Sequence, residues 1–187
     1  AVPGAKVFEE NLSVVDKYIC VSEQIRKYMI EFCKIPEDRV RTVYNIINIP
    51  QGYSESREKP EIYSRASEEE VKIVTVCRLH DGAKGLCRMV DVCENLVSKG
   101  CRFKWFVVGD GPHKEMFEAY IKEKNVQDTM ILCGFQKNPF PYYQHADLVA
   151  VLSYVEGLCG TVNEAKLMQR PLIATRFSAI DEQITHG

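Results

Sequence analysis

The sequence has no excess of charge of either sign. Its 187 residues include 24 lysines and arginines against 26 aspartates and glutamates, which gives a formal net charge of −2. Proteins that bind nucleic acid concentrate basic residues on one face, and no such concentration, nor a polybasic segment suited to anionic lipids, stands out. The composition therefore predicts no nucleic acid partner. With 45% hydrophobic residues, it is typical of a globular protein.

The sequence also has no long apolar run, and none approaches the roughly 20 residues that a helix needs to span a bilayer. It begins at Ala1-Val2-Pro3-Gly4, which resembles neither a signal peptide nor an initiating methionine, and it ends abruptly. We therefore expect a fragment of a longer gene product, with enough apolar residues for one α/β core and a smaller extra piece.

Clustered metal ligands are lacking as well. The eight cysteines form no Cys-x-x-Cys pair, and His80, His113, His145 and His186 are widely scattered. Several cysteines, such as Cys20, lie within apolar runs, where the side chain packs as a small hydrophobic group. We expect reduced thiols in a cytoplasmic protein, with neither a zinc site nor a disulfide framework.

From residue 71 onward, β-branched runs alternate with segments of helical periodicity. This alternation predicts an α/β fold with a parallel, Rossmann-like sheet that is covered by helices on both faces. Right-handed crossovers place the turns after the strands at one edge, where ligands bind in such sheets. The predicted strands are Val71–Val76, Phe103–Val108, Thr129–Cys133, Asp147–Leu152 and Leu172–Thr175, and the predicted helices are Leu86–Val97, one ending near Lys124, Asn138–His145 and Thr161–Gln169.

The first residues repeat this pattern on a smaller scale. The predicted elements are a strand Lys17–Val21, a helix Glu23–Cys33 capped by Ser22, and a strand Val40–Tyr44. The next stretch is rich in proline, serine and glutamate, which is typical of a linker or mobile loop. We predict a β-α-β piece over residues 1–49, a linker over 50–70 and an α/β domain over 71–187.

The turn after the first strand of this domain carries two cations beside a glycine. Arg78 follows the strand directly, and Lys84 precedes Gly85 at the start of the next helix. Cations at the carboxyl end of a strand, beside a helix N-terminus, suit the two phosphates of a diphosphate. Two solvated loop charges would give the same sequence, so this turn alone leaves both interpretations open.

Two further turns carry weaker signals. Gly109 and Gly111 follow the second strand, and such glycines allow a close approach to a ligand but more often form a tight turn. Phe135 follows Gly134 after the third strand; it could form a wall for a flat base, although an aromatic residue there is more often part of the core or of a lid. Neither turn identifies a function by itself.

The turn after the fourth strand is the most informative. Glu156 lies in this turn, and Glu164 lies eight positions later on the next predicted helix, with Gly157 and Gly160 between them. Free backbone amides at a helix start suit a phosphate, and carboxylates accept hydrogen bonds from sugar hydroxyls. Either glutamate alone favours a helix cap or a surface residue. A carboxylate on each side of an open helix start favours a binding site.

These residues resemble a known family, the family 4 glycosyltransferases, which are retaining enzymes of the two-domain GT-B fold. Glu156-x7-Glu164 is similar to the paired-glutamate motif of that family, and Arg78-Leu79 with Lys84-Gly85 resembles its Gly-Arg-Leu…Lys-Gly turn. The resemblance covers roughly residues 12–187. Other segments in the family's order and spacing are Tyr18-Ile19-Cys20-Val21-Ser22-Glu23, Val43-Tyr44-Asn45, Val108-Gly109-Asp110-Gly111-Pro112, Gly134-Phe135, Ala146-Asp147 and Arg170-Pro171-Leu172-Ile173-Ala174-Thr175.

The resemblance implies a role for each site residue. Arg78 and Lys84 would bind the donor diphosphate and offset charge on the departing nucleotide, and Glu156 would be the third catalytic residue, contacting hydroxyls of the donor sugar. Glu164 would hold the ribose hydroxyls. The other implied donor-binding residues are Gly109, Phe135 beside the base, and the backbone amides of Leu158, Cys159, Gly160, Thr161 and Val162. Because two cations and a helix terminus replace a divalent ion in this family, we expect neither a metal nor a cofactor.

The chain departs from the family pattern at three places. Cys77 stands where glycine is commoner, Cys159-Gly160 replaces commoner residues of the donor loop, and Phe177-Ser178-Ala179-Ile180 replaces paired glycines that would allow a backbone contact to the sugar. The resemblance also implies that most of the N-terminal domain, which supplies the acceptor site in GT-B enzymes, lies outside this chain. The usual final strand and closing helices would lie outside it too.

The resemblance implies transfer of a hexose-type sugar, with retention, from a nucleoside-diphosphate sugar to a glycan or lipid-linked acceptor bound mainly by the N-terminal domain. UDP is the first expected nucleotide, ahead of GDP and ADP. The expected setting is bacterial cell-surface polysaccharide synthesis in the cytoplasm, with peripheral contact at the inner face of the membrane through regions outside this chain. An exposed interdomain face would also let the fragment self-associate.

Two alternatives stay open at this point. The fragment could bind a nucleotide sugar without any activity of its own, which turnover by the isolated chain would disprove. The fold also serves nucleotide-sugar epimerases, which need acid and base residues near the sugar, and phosphorylases, which usually carry a cofactor-binding lysine. The two cations with paired glutamates fit a transferase better, and we expect the isolated fragment to be inactive.

Overall fold

A computed structural model of the chain describes residues 14–46 and 58–186. These residues form two compact units. The small unit contains residues 14–46, 156–159 and 177–186, and the sheet unit contains residues 58–155 and 160–176. The predicted division differs from this one, because it assigned all of residues 71–187 to a single domain.

The small unit is built on the predicted β-α-β segment. Strands β1 (Tyr18–Cys20) and β2 (Val40–Thr42) pair in parallel, and helix α1 (Glu23–Glu31) lies between them in the chain. The Ser22 hydroxyl accepts a hydrogen bond from the Ile25 N–H at 3.3 Å, so Ser22 caps α1 as expected. The buried cluster of this unit contains Cys20, Met29, Cys33, Ile35 and Val40.

The last residues of the chain belong to the small unit because their side chains bind its backbone. The Glu182 carboxylate accepts hydrogen bonds from the N–H groups of Glu23 and Gln24 at 2.9 and 2.8 Å, and from the Tyr44 hydroxyl at 2.9 Å. The first N–H groups of a helix have no partner within it, and a carboxylate there also interacts favourably with the helix dipole. Glu182 therefore supplies part of the cap of α1.

The sheet unit contains a five-stranded parallel sheet with the strand order β5-β4-β3-β6-β7. Its strands are β3 (Val71–Val76), β4 (Phe103–Val108), β5 (Met130–Gly134), β6 (Leu148–Val151) and β7 (Leu172–Ala174). Its helices are α2 (Asp81–Lys84), α3 (Leu86–Ser98), α4 (Lys114–Glu123), α5 (Phe140–Gln144) and α6 (Gly160–Leu167). The predicted α/β fold with a parallel, Rossmann-like sheet is confirmed, and each strand of this sheet lies within one residue of its predicted bounds. Helix α2 was not predicted.

One polar chain of hydrogen bonds crosses the apolar core of the sheet unit. Trp105 Nε1 donates to Thr75 Oγ1 at 3.0 Å, and Thr75 Oγ1 donates to the Ala150 carbonyl oxygen at 2.7 Å. All three residues are buried, so these polar groups are partnered within the protein rather than by water. The predicted apolar face of α3 packs into the same core through Leu86, Met89, Val90 and Cys93.

The described part of the predicted linker, residues 58–70, contains a short ordered element that the sequence did not indicate. Residues Glu61–Arg65 form a 3-10 helix in which Tyr63 is completely buried. The Tyr63 ring packs edge-on against Phe106, with 4.3 Å between ring centroids, and its hydroxyl donates to the Tyr142 carbonyl oxygen at 2.6 Å. The segment around Tyr63 therefore packs on the sheet through one buried aromatic side chain. Residues 50–57 lie outside the described residues.

The eight cysteines, all of which lie among the described residues, form no disulfide bonds, and four of them are buried: Cys20, Cys33, Cys93 and Cys159. Burial raises the pKa of the Cys93 thiol to about 12, so this thiol stays protonated and packs as a small apolar group. Within the described part of the chain, no helix combines the length and the apolar character needed to cross a membrane.

Candidate functional site

Strands β3 and β6 are neighbours in the sheet although β4 and β5 come between them in the chain. The strand order reverses here, because the chain runs outward from β3 to β5 on one side and from β6 to β7 on the other. Ligands of open parallel sheets bind outside the carboxyl ends of the strands at such a reversal. The candidate site in the sheet unit therefore lies at the turns that follow β3 and β6.

The N-terminus of α6 is held at the carboxyl end of β3. Thr161, in the first turn of α6, donates a hydrogen bond from Oγ1 to the carbonyl oxygen of Val76, the last residue of β3, at 2.7 Å. Gly160 is exposed, and a Cβ added to it would meet only Glu164 Oε1, at 3.9 Å. The start of α6 is therefore open, as the glycine predicted, and its first amides carry partial positive charge.

The turn after β3 presents the two predicted cations. Leu79 anchors this turn, since its side chain is buried and its N–H donates to the Asp110 carbonyl oxygen at 2.9 Å. Arg78, the preceding residue, is exposed, and Lys84 is half-buried at the end of α2. The turn is thus anchored through Leu79, while Arg78 is exposed to solvent and Lys84 is partly so.

Helix α2 contacts the turn after β6. The Ala83 carbonyl oxygen accepts a hydrogen bond from the Tyr154 N–H at 2.8 Å, and the Arg88 guanidinium lies 3.8 Å from the centroid of the Tyr154 ring. Gly85 has a φ of 67°, and an added Cβ would lie 2.5 Å from the Leu152 carbonyl oxygen. Only glycine allows this approach, which brings the turn that carries Lys84 to the end of β6.

The backbone geometry explains why glycine is needed at position 109, without reference to a ligand. Its φ is 145°, and an added Cβ would overlap the Cys77 carbonyl oxygen. Its N–H donates to the Gly134 carbonyl oxygen at 2.9 Å, so this backbone amide already has a partner in the protein. Gly109 therefore joins the ends of β3, β4 and β5, and a donor contact there would have to use other atoms of the residue.

Phe135 is 73% exposed, so it is not part of the core. It comes directly after β5, and its ring is therefore free to act as the wall for a base that the sequence suggests. Burial raises the pKa of the neighbouring Cys133 thiol to about 12, which keeps that thiol protonated and makes it a poor nucleophile.

Glu164 has a partner that the sequence did not indicate. The Tyr143 hydroxyl donates a hydrogen bond to Glu164 Oε2 at 2.6 Å. Tyr143 lies on α5 and is completely buried, whereas Glu164 is half-buried on α6. Helical periodicity could assign each residue to its helix, but no local signal says which tyrosine faces which carboxylate.

Glu156, Leu158 and Cys159 belong to the small unit. There the side-chain amide of Gln183 accepts a hydrogen bond from the Cys159 N–H at 2.9 Å and donates one to the Cys159 carbonyl oxygen at 2.8 Å. The Cys159 amide is therefore already used within the unit, which corrects the expectation that it is available to a sugar or phosphate. Gly157 also packs, since an added Cβ would lie 3.2 Å from Val21 Cγ2.

The segment that replaces the family's paired glycines is likewise tied to the small unit. The Ala179 N–H donates to the Gln24 side-chain oxygen, and Ala179 has a φ of 60° although it is not glycine. Within residues 14–46 and 58–186, no group of three or more histidine, cysteine, aspartate or glutamate side chains could hold a metal ion.

A family model described as "Glycosyl transferases group 1" matches residues 70–187, which is more than half of the chain. An uncharacterised glycosyltransferase of Methanocaldococcus jannaschii is 30% identical over 136 residues, covering 73% of this chain and 33% of that protein. The 2-deoxystreptamine N-acetyl-D-glucosaminyltransferase of Niallia circulans is 33% identical over 106 residues, covering 56% of this chain and 27% of that protein.

The fold is shared with a solved structure, that of Anabaena HepE in complex with UDP and glucose. The two match with a TM-score of 0.79 at 19% identity over 98% of this chain and 51% of HepE. The chain thus spans about a quarter to a half of the length of these three proteins. The structural match confirms the predicted fold, one half of a GT-B architecture, and the family model confirms the resemblance: the chain belongs to the group 1 glycosyl transferases.

Proposed function

We propose that the sheet unit binds the donor of a retaining glycosyltransferase, and that the whole protein transfers a hexose-type sugar from a nucleoside-diphosphate sugar to a glycan or lipid-linked acceptor. The observation that carries the proposal is the hydrogen bond from Thr161 to the Val76 carbonyl oxygen. It brings the open start of α6 to the same strand end from which the turn of Arg78 departs. A diphosphate there would meet both helix amides and side-chain cations.

The chemistry of this arrangement is electrostatic. When the bond between the sugar and the diphosphate breaks, negative charge grows on the departing nucleotide. Arg78 and Lys84, with the amides of Gly160, Thr161 and Val162, would stabilise that charge without any rearrangement, which is where preorganised groups contribute most to catalysis. This role is what a divalent ion performs in other enzymes, and we propose a reaction without a metal.

The carboxylates have a separate role in the proposal. Glu164, half-buried on α6, accepts hydrogen bonds from the ribose hydroxyls, and Glu156 accepts them from the donor sugar. UDP is the first nucleotide to test, because HepE was solved with UDP and has the same fold. We place the reaction in bacterial polysaccharide synthesis at the cytoplasmic side of the membrane, with an acceptor bound mainly by regions outside this chain.

A thermal-shift panel of the 187-residue chain against UDP, GDP, ADP and their sugar conjugates tests the proposal. A ligand that binds only the folded state raises the melting temperature, by an amount set by its concentration relative to its Kd. We expect a shift with one nucleotide, lost in Lys84→Ala and kept in Lys99→Ala. Lys99 is an exposed lysine directly after α3 and serves as the matched control.

A shift that survives in Lys84→Ala, or that is lost equally in both variants, argues against the proposed donor site. No shift with any nucleotide contradicts donor binding by this chain. Transfer is tested on the full-length protein, where Arg78→Ala and Glu156→Ala should abolish activity. Product with inverted anomeric configuration, observed by NMR, would disprove retention.

Because the chain spans only part of its relatives, we propose that it binds the donor without transferring sugar by itself. Incubation of the isolated chain with the donor and acceptor sugars should give no product. Release of an epimerised sugar in the absence of an acceptor would instead favour a nucleotide-sugar epimerase.

A further inference from the structure

The hydrogen bond between Tyr143 and Glu164 joins a completely buried phenol to a half-buried carboxylate. At 2.6 Å it has the length of a strong hydrogen bond to a charged acceptor. Tyr143 lies on α5, between β5 and β6, and no sequence motif of the site includes it. A glutamate on the surface of a helix does not need a hydrogen bond from a buried phenol, so this bond requires an explanation.

The geometry assigns different tasks to the two carboxylate oxygens. Oε2 receives the Tyr143 hydrogen bond, and Oε1 lies 3.9 Å from the position of a Cβ added to Gly160. Oε1 therefore faces the open start of α6. An ionised carboxylate offers about four lone-pair sites, so one bond from Tyr143 leaves enough acceptor capacity for the two hydroxyls of a ribose.

A fixed carboxylate binds better than a mobile one. Ordering a flexible side chain on ligand binding costs conformational entropy, and the hydrogen bond from a buried phenol removes that cost before the ligand arrives. Tyr143 is suited to this task because its ring is locked in the core, so its hydroxyl has a fixed position.

We infer that Tyr143 is a positioning residue for nucleotide recognition, holding Glu164 so that the site selects a ribonucleotide over its deoxy analogue. The inference rests on the proposed function, since it assumes that Glu164 binds the ribose. Tyr143 itself does not touch the nucleotide. Its contribution is carried entirely through Glu164 and disappears when the ligand has no ribose hydroxyls.

Calorimetric titration of the chain with UDP and with 2′,3′-dideoxy-UDP tests this inference. In the unmodified chain we expect UDP to bind more tightly, and in Tyr143→Phe we expect a roughly tenfold weaker affinity for UDP, equivalent to about 1.4 kcal/mol, with dideoxy-UDP unchanged. Tyr142→Phe is the matched control, since it removes a phenol oxygen from the same helix without touching Glu164 and should keep the preference.

The outcomes separate the inference from the proposed function. If the unmodified chain prefers UDP and Tyr143→Phe keeps that preference, the role of Tyr143 is refuted while the donor site stands. If Tyr143→Phe lowers the affinities for UDP and dideoxy-UDP equally, its effect is merely structural and the inference fails. If the unmodified chain binds neither ligand, the proposed donor site fails and the inference with it. In Glu164→Gln, adding Tyr143→Phe should cause no further loss of the preference.

Discussion

Gln183 and Cys159 are joined by two hydrogen bonds, one in each direction, between a side-chain amide and a backbone peptide group. The Cys159 N–H donates at 2.9 Å and the Cys159 carbonyl oxygen accepts at 2.8 Å, and both residues are buried. This pair ties residues 156–159 to the chain's last segment within the small unit. It also explains why the Cys159 amide, which was expected to contact the donor, contributes to the stability of the small unit.

Gln183→Ala should destabilise the small unit, because it removes the two hydrogen bonds that the Gln183 side chain makes with the buried Cys159 peptide group. The expected loss is about 0.5–1.5 kcal/mol for each hydrogen bond removed, reduced where water can enter the space. Urea unfolding measures the change, and hydrogen exchange of the Cys159 amide locates it. Gln127→Ala, at an exposed position, should leave both measurements unchanged; an equally stable Gln183→Ala would contradict the structure.

Glu182 should make the stability of the small unit depend on pH. Partial burial raises the pKa of its carboxyl group, but hydrogen bonds from Glu23, Gln24 and Tyr44 outweigh burial and hold the pKa below its usual value. The stabilisation is therefore present above the ordinary glutamate pKa of about 4.3 and is lost as pH falls through the lowered value. We expect less than about 1 kcal/mol, because the carboxylate is exposed and screened.

The measurement for Glu182 is the unfolding free energy between acid and neutral pH. Glu182→Gln removes the titrating group, so its stability should lose this part of the pH dependence, whereas Glu31→Gln, an exposed glutamate at the end of α1, should keep it. Parallel curves for the unmodified chain and Glu182→Gln would refute the assignment.

Gly85→Ala tests whether the approach of α2 to β6 positions Lys84. The substitution forces an alanine into a left-handed backbone conformation and places its Cβ against the Leu152 carbonyl oxygen. Gly100→Ala is the matched control, because Gly100 has a φ of 74° but open space around an added Cβ. We expect about 1 kcal/mol of destabilisation in Gly100→Ala and clearly more in Gly85→Ala, together with weaker nucleotide binding. If both variants lower the melting temperature equally, the contact between the added Cβ and the Leu152 carbonyl oxygen does not destabilise the protein.

Thr161→Val tests the hydrogen bond that holds α6 at the end of β3. Its loss should cost about 1 kcal/mol in stability and, because the helix start is no longer fixed, weaken UDP binding by about fivefold. Thr175→Val removes a comparable bond, from Thr175 Oγ1 to the Ser153 carbonyl oxygen at 2.6 Å, and should lower stability without changing the affinity for UDP. Calorimetry that finds the same Kd in both variants would contradict the proposed phosphate site.

The strands could be predicted from the sequence because a strand that is buried on both faces of a parallel sheet is a nearly continuous run of apolar residues. Strands β3 and β4 have the predicted bounds, since Val71–Val76 and Phe103–Val108 are runs of β-branched and aromatic residues. The segment around Tyr63 was missed because its composition is that of a linker. The buried Tyr63 side chain holds this segment on the sheet, and no local sequence pattern indicates that this tyrosine is buried.

The site was predictable to the extent that it depends on turns. Parallel topology brings the turns after β3 and β6 to one edge, so Arg78, Lys84 and the start of α6 could be grouped before the structure was known. The partner of Glu164 and the use of the Cys159 amide by Gln183 depend on side chains from distant segments. Such contacts are set by packing in three dimensions and have no signature in a single sequence.

The most direct test of the donor site is a calorimetric comparison of uridine, UMP and UDP binding to this chain. If Arg78 and Lys84 bind the diphosphate, affinity should rise with each phosphate, and the gain from uridine to UDP should fall by roughly 10- to 100-fold in Arg78→Ala, as expected for a lost charged hydrogen bond. Arg102→Ala, an exposed arginine that pairs with Glu69 just before β4, should keep the full gain. The same affinity for uridine and UDP, or an equal loss in both variants, would contradict the account.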